Sequence, residues 1–211
     1  MPEDFIRPMK AAELKDFYKH IEQDFLPEEH APYAVLYQQL QSGIQEGLVF
    51  CKGTRDLAYA ICAADHANGY VLISLLAVYE EYRRKGIGSS FMGALREMYG
   101  HKQAVLVEVE KPELSQTLEE EQSRWRRIEF YEKAGFYLME GIEYSIWDVP
   151  MHLMALPLQA SRQTVDEGIE QAIYEIYLAL MGRHFIHKMR FRKVRGTAGG
   201  SHGTENEEPM G

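Results

Sequence analysis

Cysteine is scarce in this sequence: 211 residues include only two, Cys51 and Cys62. Neither sits in a Cys-x-x-Cys or Cys/His ligand spacing, so nothing points to a disulfide framework or a zinc site. Both are expected to be small buried hydrophobes. Long apolar runs are also missing. The longest, VLISLLAV, is far too short to span a bilayer. The N-terminal MPEDFIRPMK lacks the basic segment and apolar stretch of a secretory leader. Nor is there an excess of cations: the formal charge is −9, which argues against bulk nucleic-acid binding and suits a cationic partner such as an amine. The absences predict a cytoplasmic protein with neither nucleic acid nor membrane as partner. What remains is ordinary globular composition, 45% hydrophobic and 26% charged, at a length that suits one large domain or one domain with an appendage.

Periodicity divides the chain into alternating elements. FIRPM reads as a short strand, and AAELKDFYKHIEQDF and YAVLYQQLQSGI as helices separated by LPEEHAP, with Gly43 as a stop. GLVFCKG and DLAYAICAAD read as two strands joined by a turn. YVLISLLAV has the unbroken apolar character of a strand buried on both faces. SSFMGALREMYG predicts a helix, and AVLVEVE a strand with Val105, Val107 and Val109 on one face and Leu106, Glu108 and Glu110 on the other. Thr117-x-x-Glu120 is a capping box before a long helix that ends at Gly135. GFYLMEGIEYSIWDVPMHLMALPL supplies two or three further strands. Thr164-x-x-Glu167 is read as the start of a last helix, to Lys188, with Val165, Ile169, Ile173, Ile176 and Leu180 in one stripe. The basic stretch that follows reads as a helix terminus and solvent-exposed chain, and the Gly-rich end as disordered. The order implies an α/β (α+β) class.

The chemistry concentrates where three cations, Arg83, Arg84 and Lys85, precede Gly86 and Gly88. Backbone N–H groups at a helix start attract phosphate, and glycine permits close approach. A solvated basic turn is the plain alternative. A Walker A loop would need a Gly-Lys-Ser/Thr ending, which is missing. A dinucleotide fingerprint fits poorly, because Phe91 stands in place of the third glycine and the glycines come well after Val78.

LLAVYEEYRRKGIGSSFMGAL resembles the acetyl-CoA-binding motif of the GNAT superfamily of N-acetyltransferases: a strand ending Leu-Ala-Val, then Arg/Gln-x-x-Gly-x-Gly/Ala opening a helix, here Arg83, Gly86 and Gly88. RWRRIEFYEKAGF resembles the family's later helix, which carries a tyrosine and ends in Gly-Phe. Glu80 stands where a proline is common, and Arg124 near a frequent asparagine. The resemblance runs from about Phe5 to Leu158. It implies a mixed central sheet flanked by helices, with an acetyltransferase domain over residues 1–158, an extra C-terminal helix and basic segment over 159–195, and a tail over 196–211. It also implies acetyl-CoA as cosubstrate, with no metal. Backbone contacts to the pantetheine arm would come from Leu76, Ala77 and Val78, and the diphosphate would lie on Arg83, Arg84, Lys85, Gly86, Ile87, Gly88 and Ser89.

Acetyl transfer to an amine needs a base, a donor for the thioester oxygen and an acid for the departing thiolate. The resemblance makes Tyr131 the candidate acid, and phenols titrate near ~10 against ~8.5 for thiols; it shares a helix stripe with Arg124 and Arg127, and without the resemblance it reads as a tyrosine capping the core. Glu108 is chosen as base over Glu110, roughly 6–7 Å away along the same face, and over Glu80. Two close carboxylates can raise one pKa; the plain alternative is that they attract a cation or pair with arginines. Other features read plainly: Trp125 and Trp147 as core, His184 and His187 as surface, and Glu28, Glu29 and Asp148 as surface acids that could meet a cationic substrate. The last helix must bury its stripe on its own domain or on a second copy, and is expected to contribute to a homodimer. The alternatives to an N-acetyltransferase are a non-catalytic acyl-CoA-binding module that recruits a partner and, more remotely, a dinucleotide-dependent oxidoreductase.

Overall fold

The computed structural model describes residues 4–194 apart from Glu28, Asp65, His66 and Asn68. The expected tail, 196–211, lies outside them.

The first half of the fold is β1 (Asp4–Pro8), α1 (Leu14–Asp24), α2 (Tyr33–Ser42), β2 (Gln45–Lys52), β3 (Arg55–Ala64) and β4 (Tyr70–Val78). Gly43 ends α2 in the left-handed conformation, at φ 74°. The second half is α3 (Ile87–Met98), β5 (Ala104–Glu110), α4 (Leu118–Lys133), β6 (Tyr137–Leu138), β7 (Ile142–Ile146), β8 (Val149–Pro157), α5 (Arg162–Phe185) and β9 (Met189–Lys193). Thr117 caps α4, accepting from the Glu120 N–H at 3.2 Å, and Glu120 reaches back to the Gln116 N–H.

The strands form one sheet in the order β1-β2-β3-β4-β5-β8-β7-β9, with β6 also on β8. Among the described residues only β4 and β5 run parallel; every other pairing is antiparallel. Antiparallel neighbours need only a hairpin, whereas the parallel pair needs the crossover that α3 provides.

One face of the sheet carries a continuous core under α3 and α4, including Phe91, Met92, Leu95, Ile128 and Tyr131. The opposite face is divided. Over β2, β3 and the end of β4 it is covered by α1 and α2; over β5, β8 and the start of β4 it is covered by α5. Cys51 and Cys62 are buried, and burial pushes their thiols up to about 11 and about 12.

Several elements depart from the sequence reading. Helix α5 begins one turn early: Ser161, not Thr164, is its cap, accepting from the Thr164 N–H at 3.1 Å. The helix kinks at Gly182. Its apolar stripe is covered by the chain's own sheet, with Val165, Ile169, Ala172 and Ile173 fully buried, so the surface on which the dimer expectation leaned is internal. Part of the basic segment is not free chain but strand β9, because the acids of β7 and its turn neutralise it: Arg192 pairs with Glu143, and Lys188 and Arg190 with Asp148. Trp125 and Trp147, expected in the core, are about half exposed at 48% and 47%. No helix among the described residues is long and apolar enough to cross a membrane.

If α5 is an integral layer, Ile173→Ala should leave a cavity and cost about 2–5 kcal/mol in urea unfolding. A loss below about 0.5 kcal/mol, the scale of a surface substitution, would show the stripe to be dispensable.

Candidate active site

The sheet opens at its parallel pair. β4 and β5 are in register from Tyr70↔Ala104 to Ile73↔Val107 and no further. Their other neighbours stay paired, β3 with β4 up to Val78 and β5 with β8 up to Glu110. The separation starts at a bulge. Ile61 faces Leu75 and Cys62 faces Ile73, which leaves Ser74 as the extra residue. The bulge shifts the alternation of an otherwise uniform apolar run: Val71 and Ile73 join the α3–α4 core before it, and Leu75 and Ala77 join the α1–α2 core after it.

The bulge also decides which peptide groups are free. The Tyr79 N–H donates to the Leu57 carbonyl at 3.0 Å. By antiparallel alternation Leu75 and Ala77 also turn their peptide groups to β3, while Leu76 and Val78 turn theirs to the gap. The Val78 carbonyl accepts from Arg83 Nε at 2.9 Å. Leu76 is left with an N–H and a C=O on the open edge.

At one mouth of the gap lies the turn before α3. Arg84 and Gly86 have φ of 61° and 78°, and Ser90 is the first residue of the turn to donate to a helical carbonyl, that of Gly86. Among the described residues, no backbone carbonyl accepts from the N–H groups of Arg84 to Ser89. Such a run of outward N–H groups at a helix start has the geometry of an anion cradle. The cations around it differ in availability. Arg83 is committed to Val78 and to an ion pair with Asp24, which also accepts from Tyr59 at 3.0 Å. Lys85 donates to the Glu81 carbonyl at 2.7 Å. Arg84, exposed, has no such internal contact among the described residues.

The gap itself is a cleft of about 280 Å³ that brings Leu76, Glu108, Glu110, Arg127 and Tyr131 together. Glu80 is exposed on the turn outside it. The two acids on β5 have different partners. Glu110 is ion-paired, to Arg124 at 3.1 Å and Arg127 at 4.0 Å. Arg127 also reaches Glu29 at 3.8 Å. Glu108 has no cationic partner among the described residues. It accepts from Tyr144 of β7, and from Tyr177 of α5 at 2.8 Å to each oxygen. Burial raises its pKa, and the two phenols oppose that rise. The cause is therefore desolvation, not repulsion from Glu110 as the two-residue spacing suggested. Tyr131 is buried between Phe130 and Phe136, and its pKa is pushed up to about 12, chiefly by burial and against the pull of Arg127.

The second mouth is lined by Phe25 and Glu29 from the α1–α2 loop and by Ile146, Val149 and Met151 from the β7–β8 hairpin. Asp148, at the hairpin tip, is engaged by Lys188 and Arg190. Glu28 lies outside the described residues. Sequence reasoning did not find Tyr144 and Tyr177. A signal existed: Glu108 continues the buried face of Leu106, Tyr177 stands beside the apolar stripe of α5, and buried polar groups need partners.

Residues 45–138 match a family model described as an acetyltransferase (GNAT) domain. No curated protein matches the chain. Among solved structures, a protein from Bacteroides thetaiotaomicron assigned to the GNAT family superposes with a TM-score of 0.67 at 20% identity, covering 84% of this chain and 98% of that one. The ribosomal-protein-S18-alanine N-acetyltransferase of Escherichia coli gives 0.54 at 20% identity, over 75% and 96% of the two chains. Spermidine N-acetyltransferase from Vibrio cholerae, in complex with CoA and spermine, gives 0.55 at 10% identity, over 74% and 95%. At these identities the likeness is one of fold.

Two glycines near the turn should respond oppositely to alanine. Gly86→Ala places a side chain at φ 78° and should cost about 1–2 kcal/mol. Gly93→Ala, in the exposed interior of α3 with open space around it, should stabilise by about 0.4–1 kcal/mol. Chemical denaturation of both variants checks the conformation of the cradle.

Proposed function

We propose that the chain, whose residues 45–138 match the GNAT acetyltransferase domain family, is an acetyl-CoA-dependent N-acetyltransferase that acts on a primary amine by direct transfer. The observation that carries the reading is the open edge at Leu76, with an unpaired N–H cradle at one end and Glu108 and Tyr131 beside it in one cleft.

The residues fit the cosubstrate. The N–H groups from Arg84 to Ser89, with Arg84, suit a diphosphate, and the Leu76 carbonyl suits an amide N–H of the pantetheine arm. Arg83, committed to Asp24, would brace the turn rather than grip phosphate. When bound, acetyl-CoA supplies an activated acetyl thioester.

The amine enters by the second mouth. The cleft wall carries three carboxyl side chains, Glu29, Glu108 and Glu110, against one guanidinium, Arg127, which favours an ammonium ion. The names of two structural neighbours, a spermidine and a protein-alanine N-acetyltransferase, support an amine acceptor. Glu108 takes one proton from the ammonium ion, and the nitrogen lone pair attacks the acetyl carbon. The Leu76 N–H donates to the carbonyl oxygen as charge grows there. The carbon–sulfur bond breaks, Tyr131 gives its proton to the thiolate, and the second amine proton restores the phenol. Glu108 then loses its proton to solvent. Burial keeps Tyr131 protonated at rest and raises Glu108 above an ordinary carboxylate; with the phenol pushed up to about 12, its proton passes to sulfur only as the amine proton replaces it.

Amine-dependent release of CoA thiol, across a panel of monoamines, polyamines and peptides, tests the reading. Tyr131→Phe should lower kcat about 10²–10⁴-fold with little change in acetyl-CoA affinity. Cofactor binding without turnover on any amine would replace the enzyme with an acyl-CoA-binding module.

A further inference from the structure

The least expected contact in the cleft is Glu108 with two phenols from elements beyond the matched acetyltransferase segment. Tyr144 lies on β7 and Tyr177 on α5, 36 and 69 residues along the chain from the carboxylate they hold. We propose that Tyr144 and Tyr177 are positioning residues for the acetyl-transfer reaction, locking the Glu108 carboxylate in the orientation that accepts a proton from the acceptor amine. The inference rests on Glu108 as the base.

The surroundings explain why phenols are needed. On the strand itself, Glu110 is drawn away to Arg124 and Arg127 of α4. β8 sets Leu153 opposite Glu108, and β4 contributes Ser74 to the cleft wall. Glu29 of the α1–α2 loop lies beyond Arg127, and Tyr131 of α4 shares the cleft. No cation contacts Glu108 among the described residues. An arginine partner would pin the carboxylate in its ionised form and make it a weak base. Burial with no partner would leave it protonated and idle. Two neutral donors stabilise the charge without cancelling it. Tyr177 bridges both oxygens at 2.8 Å and Tyr144 holds one of them, which also fixes the plane of the carboxylate. Burial and the neighbouring acid drive both phenols well above their ordinary range, so they stay protonated and act only as donors. In the reaction the ammonium N–H bond breaks, its electron pair stays on nitrogen, and the proton joins Glu108; the phenol protons remain where they are.

Tyr144→Phe and Tyr177→Phe keep the rings and remove one donor each. The lost hydrogen bond favours the ionised acid, so its loss raises the folded-state pKa of Glu108. The acidic limb of kcat/KM against pH should then move upward by about one unit per variant. At pH values on that limb, kcat/KM should fall about tenfold, with acetyl-CoA affinity unchanged. In Glu108→Gln the limb should disappear. A carbon-13 NMR titration of the Glu108 carboxyl, in the full chain without substrates, should show the same upward shift. If both Phe variants lose thermal stability while limb and titration stay in place, the phenols serve only packing and the proposal fails. If the native chain turns over no amine, the acetyl-transfer reading falls separately, and the titration still decides whether the phenols set the state of Glu108.

Discussion

The structure depends on the parting of two parallel strands. β4 and β5 pair for four residues and then diverge, and the divergence is built into the sheet by one extra residue, Ser74. A parallel pair inside a sheet normally buries every peptide group between its strands. Here the edge of β4 beyond Ser74 is open to ligand, and unpaired polar backbone is tolerable only where something else can satisfy it. The divided core on one face follows from the same event: α1 and α2 cover one arm, α5 the other, and the cleft lies between them.

Within that cleft, two acids of the same strand face are given opposite environments. Glu110 is held by guanidinium groups, and Glu108 by the hydroxyls of Tyr144 and Tyr177. Charge pairing favours ionisation, while burial resists it. The side chains are chemically identical, so the difference in surroundings comes from what β7, α4 and α5 bring to each. The C-terminal helix is thus part of the acid's environment as well as part of the core.

Much of this was legible in the sequence where the cause was local. Thr117 and Glu120 fixed the start of α4, Gly43 the end of α2, and the glycines after Lys85 the turn before α3, because each acts within a few residues of itself. Glu108 was named from one strand alternation, and Tyr131 from the resemblance of its helix to that of a known family. What escaped was set by distant contacts. The pairing of Glu108 with Tyr177 joins elements far apart in the chain, and the conversion of a basic stretch into β9 needed the acids Glu143 and Asp148 beside it. The start of α5 was misplaced because Thr164 and Glu167 mimic a cap, while Ser161 provides it one turn earlier. Trp147 reads as core by composition, yet it occupies the tip of a tight hairpin at φ 50°, where no core can form around it.

Asp24 has a consequence for how the cleft works as a machine. It ends α1, anchors Arg83 on the far side, and accepts from Tyr59 in the sheet. The next residue in the chain is Phe25, on the wall that an incoming amine would meet. A single carboxylate therefore ties together three elements, the last turn of α1, the sheet and the turn before α3, and its loss would release all three at once.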